Sequence, residues 1–217
     1  MAEVVPAILT NDVSDFRKKH AELFAASHLF SKLHIDFADG EFVRNTTLKP
    51  GDLLFLKSPF ALAAHFMTFH PENYFSDASK AGFKTAIVHF EAFNDLQALN
   101  EALDQAEQQK LQPGLAVNPE TPLVKVGGIL SRVSLVQLMG IHPGYQGQKF
   151  MASTVEKIKE LRSLSKNVII AVDGGVKVGI ARQCVKAGAD MIISGSAIFR
   201  SEDAEMAIEA LKADIET

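Results

Sequence analysis

Leu33-His34-Ile35-Asp36-Phe37-Ala38-Asp39-Gly40 is the stretch from which the rest of the chain can be read. Leu33, Ile35 and Phe37 alternate with His34 and Asp36, and strand side chains alternate faces. The histidine and the carboxylate therefore share one face, and the apolar residues share the other. Asp39-Gly40 ends the strand in a turn, which puts the polar pair at its C-terminal end, where parallel α/β folds carry their chemistry. Imidazole and carboxylate two residues apart can reach one divalent ion. Alone, so short a motif is equally what a partly exposed strand with two hydrogen-bonding side chains offers.

The same arrangement recurs along the chain. Short apolar strands are expected at Val4 to Leu9, Leu33 to Phe37, Leu62 to Met67, Thr85 to Phe90, Gly114 to Val117, Val133 to Met139, Val168 to Val172 and Met191 to Ile193. Helices are expected between them: Ser14 to Ser27 behind a Thr10-Asn11-Asp12 cap, a helix after Pro50, Pro71-Glu72 to about Gly82, and Asn94 to Lys110. Further helices are expected at Pro122 to Val126, Thr154 to Leu164, Val178 to Ala187 and Glu202 to Ile215. Eight such units over 217 residues indicate an α/β fold with a parallel sheet, and eight repeats suggest a (β/α)8 TIM barrel in a single domain spanning 1–217. A doubly wound open sheet has the same periodicity and stays open on pattern alone.

Composition narrows the function classes. Apolar content of 47% and charged content of 22% suit a globular domain. A net charge of -4 gives no footprint for nucleic acid or an anionic membrane. No apolar run approaches the roughly 20 residues of a membrane helix. Val4 to Leu9, broken by Pro6, is too short for a signal segment. The lone Cys184 forms no intramolecular disulfide and falls in an expected helix as a structural thiol. A cytoplasmic protein is expected.

Under this register the strand ends carry His34 and Asp36, His65, His89 and Glu91, Asn118, Met139, Asp173 and Gly195-Ser196. His34, Asp36, His65 and Asp173 could give one divalent ion two imidazoles and two carboxylates. Three glycine turns, Gly144 to Gly147, Gly174-Gly175 and Gly195-Ser196, are candidates for holding phosphate through backbone N–H groups. The last two follow the seventh and eighth strands, where barrels commonly bind phosphate. Ordinary turn chemistry accounts for any one of them.

Together these residues carry a resemblance to the ribulose-phosphate 3-epimerases, metal-dependent (β/α)8 sugar-phosphate isomerases. The matching blocks are PAILTND (Pro6–Asp12), HIDFADGEFV (His34–Val43), AHFMTFHPE (Ala64–Glu72), HFEA (His89–Ala92), GLAVNPETP (Gly114–Pro122), MGIHPGYQGQKF (Met139–Phe150), VDGGV (Val172–Val176) and SGSAIF (Ser194–Phe199). The resemblance implies that His34, Asp36, His65 and Asp173 bind one divalent ion (Zn, Fe, Mn or Co), with Asp36 and Asp173 as the acid/base pair. It implies substrate contacts from Thr10, His65, Met67, Met139, Gly144, Tyr145, Gln146, Gly147, Gly174, Gly175, Gly195 and Ser196. Thr10 stands where the family usually has serine, Ala38 where it has methionine, Gln146 where it has glycine and His142 where it has asparagine. The segment from Thr46 to Phe60 matches little, and the space left by Ala38 must be filled by something else.

The implied chemistry is inversion of a carbon next to a ketose carbonyl. An ion on the oxygens would stabilise the enediolate, and two carboxylates would move the proton between opposite faces, titrating as a coupled pair. Met67 and Met139 would give a polarizable lining. D-ribulose 5-phosphate is the first expected substrate. A hexulose 6-phosphate and a non-catalytic sugar-phosphate-binding barrel are the alternatives. The expected partner is a small ketose phosphate, with no nucleic acid and no membrane, and the family resemblance implies a homo-oligomer.

Overall fold

A computed structural model describes residues 2–145 and 147–217. The strands are β1 (Glu3–Ile8), β2 (Lys32–Ala38), β3 (Ala61–Met67), β4 (Phe83–His89), β5 (Gln112–Val117), β6 (Leu135–Met139), β7 (Ile169–Asp173) and β8 (Met191–Ser194). All pair in parallel in sequence order, and β1 also pairs with β8, which closes the barrel and removes the open-sheet alternative. The helices are α1 (Val13–Ala25), α2 (Glu72–Lys80), α3 (Leu96–Gln108), α4 (Ser153–Leu164), α5 (Ile180–Ala187), α6 (Ser196–Phe199) and α7 (Ala204–Ile215).

Local chemistry sets the element ends. The Asp12 carboxylate accepts from Asp15 N at 2.8 Å and caps α1, and Asp95 does the same for α3 through Ala98 N at 2.8 Å. Two expected helices are different objects. After Pro50 there is only a four-residue 3-10 turn, Pro50–Leu53, because Gly51 gives little helix propensity and Pro50 suits a first turn. Between β5 and β6, two 3-10 turns (Leu123–Lys125 and Gly127–Arg132) replace an α-helix, with Gly127-Gly128 breaking the run. The one-turn α6 directly after Gly195 was not expected as a helix.

Alternation along the strands divides the core in two. Leu33, Ile35 and Phe37 of β2 pack outward, with Phe66, Leu103, Leu115, Val136 and Ile192, into the layer between sheet and helices. Val5, Ala7, Ile87, Ala116, Leu135, Ala171 and Met191 fill the inside of the barrel. Polar residues enter the barrel interior from the middle of the strands to their C-terminal ends: His34, Asp36, His65, His89, Gln137 and Asp173 are all buried.

Candidate active site

Strand register brings the ligand candidates together. Asp36 on β2 lies opposite His65 on β3, and Met139 on β6 lies opposite Asp173 on β7. Asp36 Oδ1 is 3.1 Å from His34 Nε2 and 2.8 Å from His65 Nδ1. Asp173 Oδ2 is 3.8 Å from His34 Nε2 and 3.7 Å from His65 Nδ1. One donor atom from each residue lies within 4.8 Å of the others. Two imidazole nitrogens and two carboxylate oxygens facing one point, all buried, form a donor set that fits a divalent cation. Without a cation, two carboxylates share a space that water scarcely reaches, which is costly unless one is neutralised.

The electrostatics record that conflict. Burial opposes ionisation of Asp36, but contacts with His34 and His65 outweigh it and hold the carboxyl well below the usual range. Burial, reinforced by the charge of Asp36, pushes Asp173 up to about 7. Burial also lowers His65 to about 3, against the pull of Asp36. His34, for which burial is offset by Asp36 and Asp173, is raised above its ordinary value. Neighbouring carboxylates with opposite shifts are what acid/base work at one carbon requires.

Above this cluster opens a narrow cleft lined by Asp36, Met67, Met139 and Asp173 together with Gly144, Tyr145, Gly147, Gly174, Gly175, Gly195 and Ser196. The proposed lining methionines and three glycine turns therefore face one cavity with the carboxylates. Gln146 lies outside the described residues. Thr10 does not line this cleft: its hydroxyl accepts from Asp12 N at 3.2 Å, and Leu9 forms the wall at that point. The space beside Ala38 is closed by Met67 and Val43, with Leu9 and Phe42 packed against them.

The loops are fastened across the mouth. Asn45 Nδ2 donates to Gly144 O at 2.7 Å, and the Tyr145 hydroxyl donates to Arg44 O. Gln148 Nε2 donates to the carbonyls of His142 and Tyr145 at 2.8 and 2.9 Å. His142 itself is exposed and pairs with Glu120 at 3.3 Å. Gly140 is required by close approach, since a Cβ there would sit 2.4 Å from Gly174 O.

Sequence reasoning missed Gln137. Its amide donates to Asp173 Oδ2 at 3.0 Å and to Met139 Sδ at 3.4 Å, while its Oε1 has no partner among the described residues. The available signal was a lone amide in an apolar strand, two residues before Met139 and therefore on the same face.

The model of the ribulose-phosphate 3 epimerase family matches residues 3–199. The ribulose-phosphate 3-epimerase of Bacillus subtilis (strain 168) is 31% identical over 98% of this chain and 99% of its own. The chloroplastic ribulose-5-phosphate-3-epimerase of Arabidopsis thaliana is 36% identical over 83% of this chain and 66% of its own. Among solved structures, a mutant tryptophan synthase alpha-subunit from Pyrococcus furiosus superimposes with a TM-score of 0.73 over 99% of this chain and 96% of its own. At 17% identity that likeness is one of fold.

Proposed function

The chain belongs to the ribulose-phosphate 3-epimerase family, and from that premise we propose that it interconverts D-ribulose 5-phosphate and D-xylulose 5-phosphate by inverting C3. The observation that carries this reading is the pairing of Asp36 and Asp173, two carboxylates from different strands that line one cleft beside two buried imidazoles.

His34 Nε2, Asp36 Oδ1, His65 Nδ1 and Asp173 Oδ2 would hold one divalent ion. When bound, such an ion supplies Lewis-acid stabilisation of negative charge developing on the sugar oxygens. Each carboxylate keeps a second oxygen for the substrate. Asp36 and Asp173, reaching the cleft from different strands, would take the C3 proton from one face and return one to the opposite face. In the reverse direction the roles exchange. Positioned proton transfer of this kind contributes on the order of 10²–10⁴-fold.

Backbone N–H groups of the turns at Gly144–Gly147, Gly174-Gly175 and Gly195-Ser196 would hold the phosphate, with Gly195 opening the short α6. Met67 and Met139 would line the sugar between the two ends, with Leu9 forming the wall at the end of β1. A hexulose 6-phosphate is the competing substrate. The ribulose-phosphate 3-epimerases to which the chain is similar favour the pentulose. We further propose a cytoplasmic homo-oligomer; among the described residues no helix is long and apolar enough to cross a membrane.

The test is turnover of ribulose 5-phosphate, a hexulose 6-phosphate and unphosphorylated ribulose by metal-analysed protein. Preferred turnover of ribulose 5-phosphate is expected, and equal turnover of ribulose with and without its phosphate would reject the assignment.

A further inference from the structure

Behind the four ligand candidates a line of buried polar groups runs away from the cleft. His65 Nε2 lies 2.8 Å from His89 Nε2, and His89 Nδ1 lies 3.4 Å from Glu91 Oε2. Glu91 Oε1 accepts from Asn118 N at 2.9 Å and from the Thr121 hydroxyl. Both histidines are fully buried, and Phe42 packs against His89 with 4.8 Å between ring centroids. Nothing in the proton-transfer steps uses His89 or Glu91.

Chemistry fixes the order of protons along this line. Two imidazole nitrogens 2.8 Å apart share one hydrogen, so one donates and the other accepts. An ionised carboxylate only accepts, and Glu91 is held low, burial being outweighed by His89, Thr121 and Asn118. It therefore calls for N–H at His89 Nδ1. With one proton on each ring, His89 Nε2 is bare and accepts from His65 Nε2–H. His65 Nδ1 is then bare as well, 2.8 Å from Asp36 Oδ1. Two acceptors at that distance repel unless a cation lies between them. The Gln137 amide nitrogen, 3.3 Å from His65 Nε2, is itself a donor and serves Asp173 and Met139, so it does not compete for this proton.

We propose that Glu91 and His89 are positioning residues that lock His65 in the tautomer presenting Nδ1 to a divalent cation. The inference rests on the reading of His34, Asp36, His65 and Asp173 as a metal site. A partner that orients a ligating histidine through its second nitrogen typically changes metal affinity about 10–100-fold. Here that partner is a histidine set by a carboxylate two groups away.

Glu91→Gln separates this role from a merely structural one. Asn118 N and Thr121 Oγ1 keep the amide oxygen, so the new NH2 group faces His89 Nδ1 and the order of protons reverses. His89→Gln breaks the dependence, because its amide accepts from His65 whatever stands at position 91. The experiment strips metal from the full chain and measures zinc affinity by chelator competition in wild type, both single variants and the double variant. Glu91→Gln should bind zinc about 10–100-fold more weakly, and the same change in the His89→Gln background should shift affinity less than about threefold. Equal binding by wild type and Glu91→Gln, or an equal loss in both backgrounds, would overturn the relay. Zinc-binding failure by wild type would instead reject the metal reading, and the relay with it. Ring ¹⁵N shifts of the zinc-loaded wild type give a check independent of any variant: His65 protonated at Nε2 and His89 at Nδ1 support the proposal, and His89 protonated at Nε2 contradicts it.

Discussion

Gln137 donates its side-chain amide to Oδ2 of Asp173 at 3.0 Å, within a strand that is otherwise apolar from Leu135 to Met139. This bond leaves the other oxygen of Asp173 to face the cleft. Gln137→Leu keeps the volume and removes the donor, so Asp173 can rotate. We expect kcat of the metal-saturated variant to fall roughly tenfold, a loss on the scale of one hydrogen bond to a charged group. Unchanged kcat would show that strand geometry alone sets the carboxylate.

Gly175 and Gly195 should respond differently. Gly175 has φ +71°, and a Cβ there would lie 2.8 Å from Phe150 N, so Gly175→Val both strains the loop and obstructs the phosphate. Gly195, at φ -112°, lies outside the left-handed region that favours glycine. Both substitutions should raise KM for the phosphorylated sugar, but only Gly175→Val should lower Tm by several degrees. Steady-state kinetics and thermal unfolding of the two variants check this.

In metal-free protein Asp173 and His65 should push stability in opposite directions between about pH 4 and about 6.5. Asp173 goes from an ordinary 3.8 to about 7 on folding, so within that window this carboxyl holds more protons in the folded chain than in the unfolded one. The sign is that of a raised folded value: stabilisation is present at low pH and lost as pH rises through it. His34, also raised, acts in the same direction above its ordinary 6.5, whereas the stabilisation from the depressed Asp36 is lost only at strongly acid pH. His65, lowered to about 3 from an ordinary 6.5, acts in the opposite direction over most of this window, so the two should largely cancel in wild type, and urea unfolding should show Asp173→Asn gaining stability relative to wild type as pH rises. A difference between wild type and Asp173→Asn that stays constant across the window would contradict the assignment.

Cys184 should be inert in the native state. It is fully buried on α5, and burial pushes its thiol up to about 12. A thiol reagent at about pH 8 should label it only after denaturation; fast native labelling would mean that α5 opens readily.

The barrel was legible because eight apolar strands each carried their own turn signal, and the HxD motif put two ligands on one face. His65 and Asp173 followed from their places at strand ends. What stayed hidden depended on partners distant in sequence. Gln137 touches Asp173 across 36 residues, and the role of His89 needs the 2.8 Å contact with His65. The connections after β2 and β5 were misjudged because proline and glycine allow a turn without showing whether it grows into a helix. Thr10 illustrates the opposite limit: its position suggested a substrate contact, whereas its hydroxyl meets the Asp12 amide.

The central claim is that Asp36 and Asp173 serve opposite faces of one carbon. Wild type, Asp36→Asn and Asp173→Asn, each with its metal content measured first, are incubated with either epimer in deuterated water, and label at C3 is followed. Two separate acid/base groups predict that each variant stops epimerising yet still exchanges C3 hydrogen with the one epimer served by its surviving carboxylate. Metal-loaded Asp173→Asn protein that epimerises at nearly the wild-type rate would contradict the account.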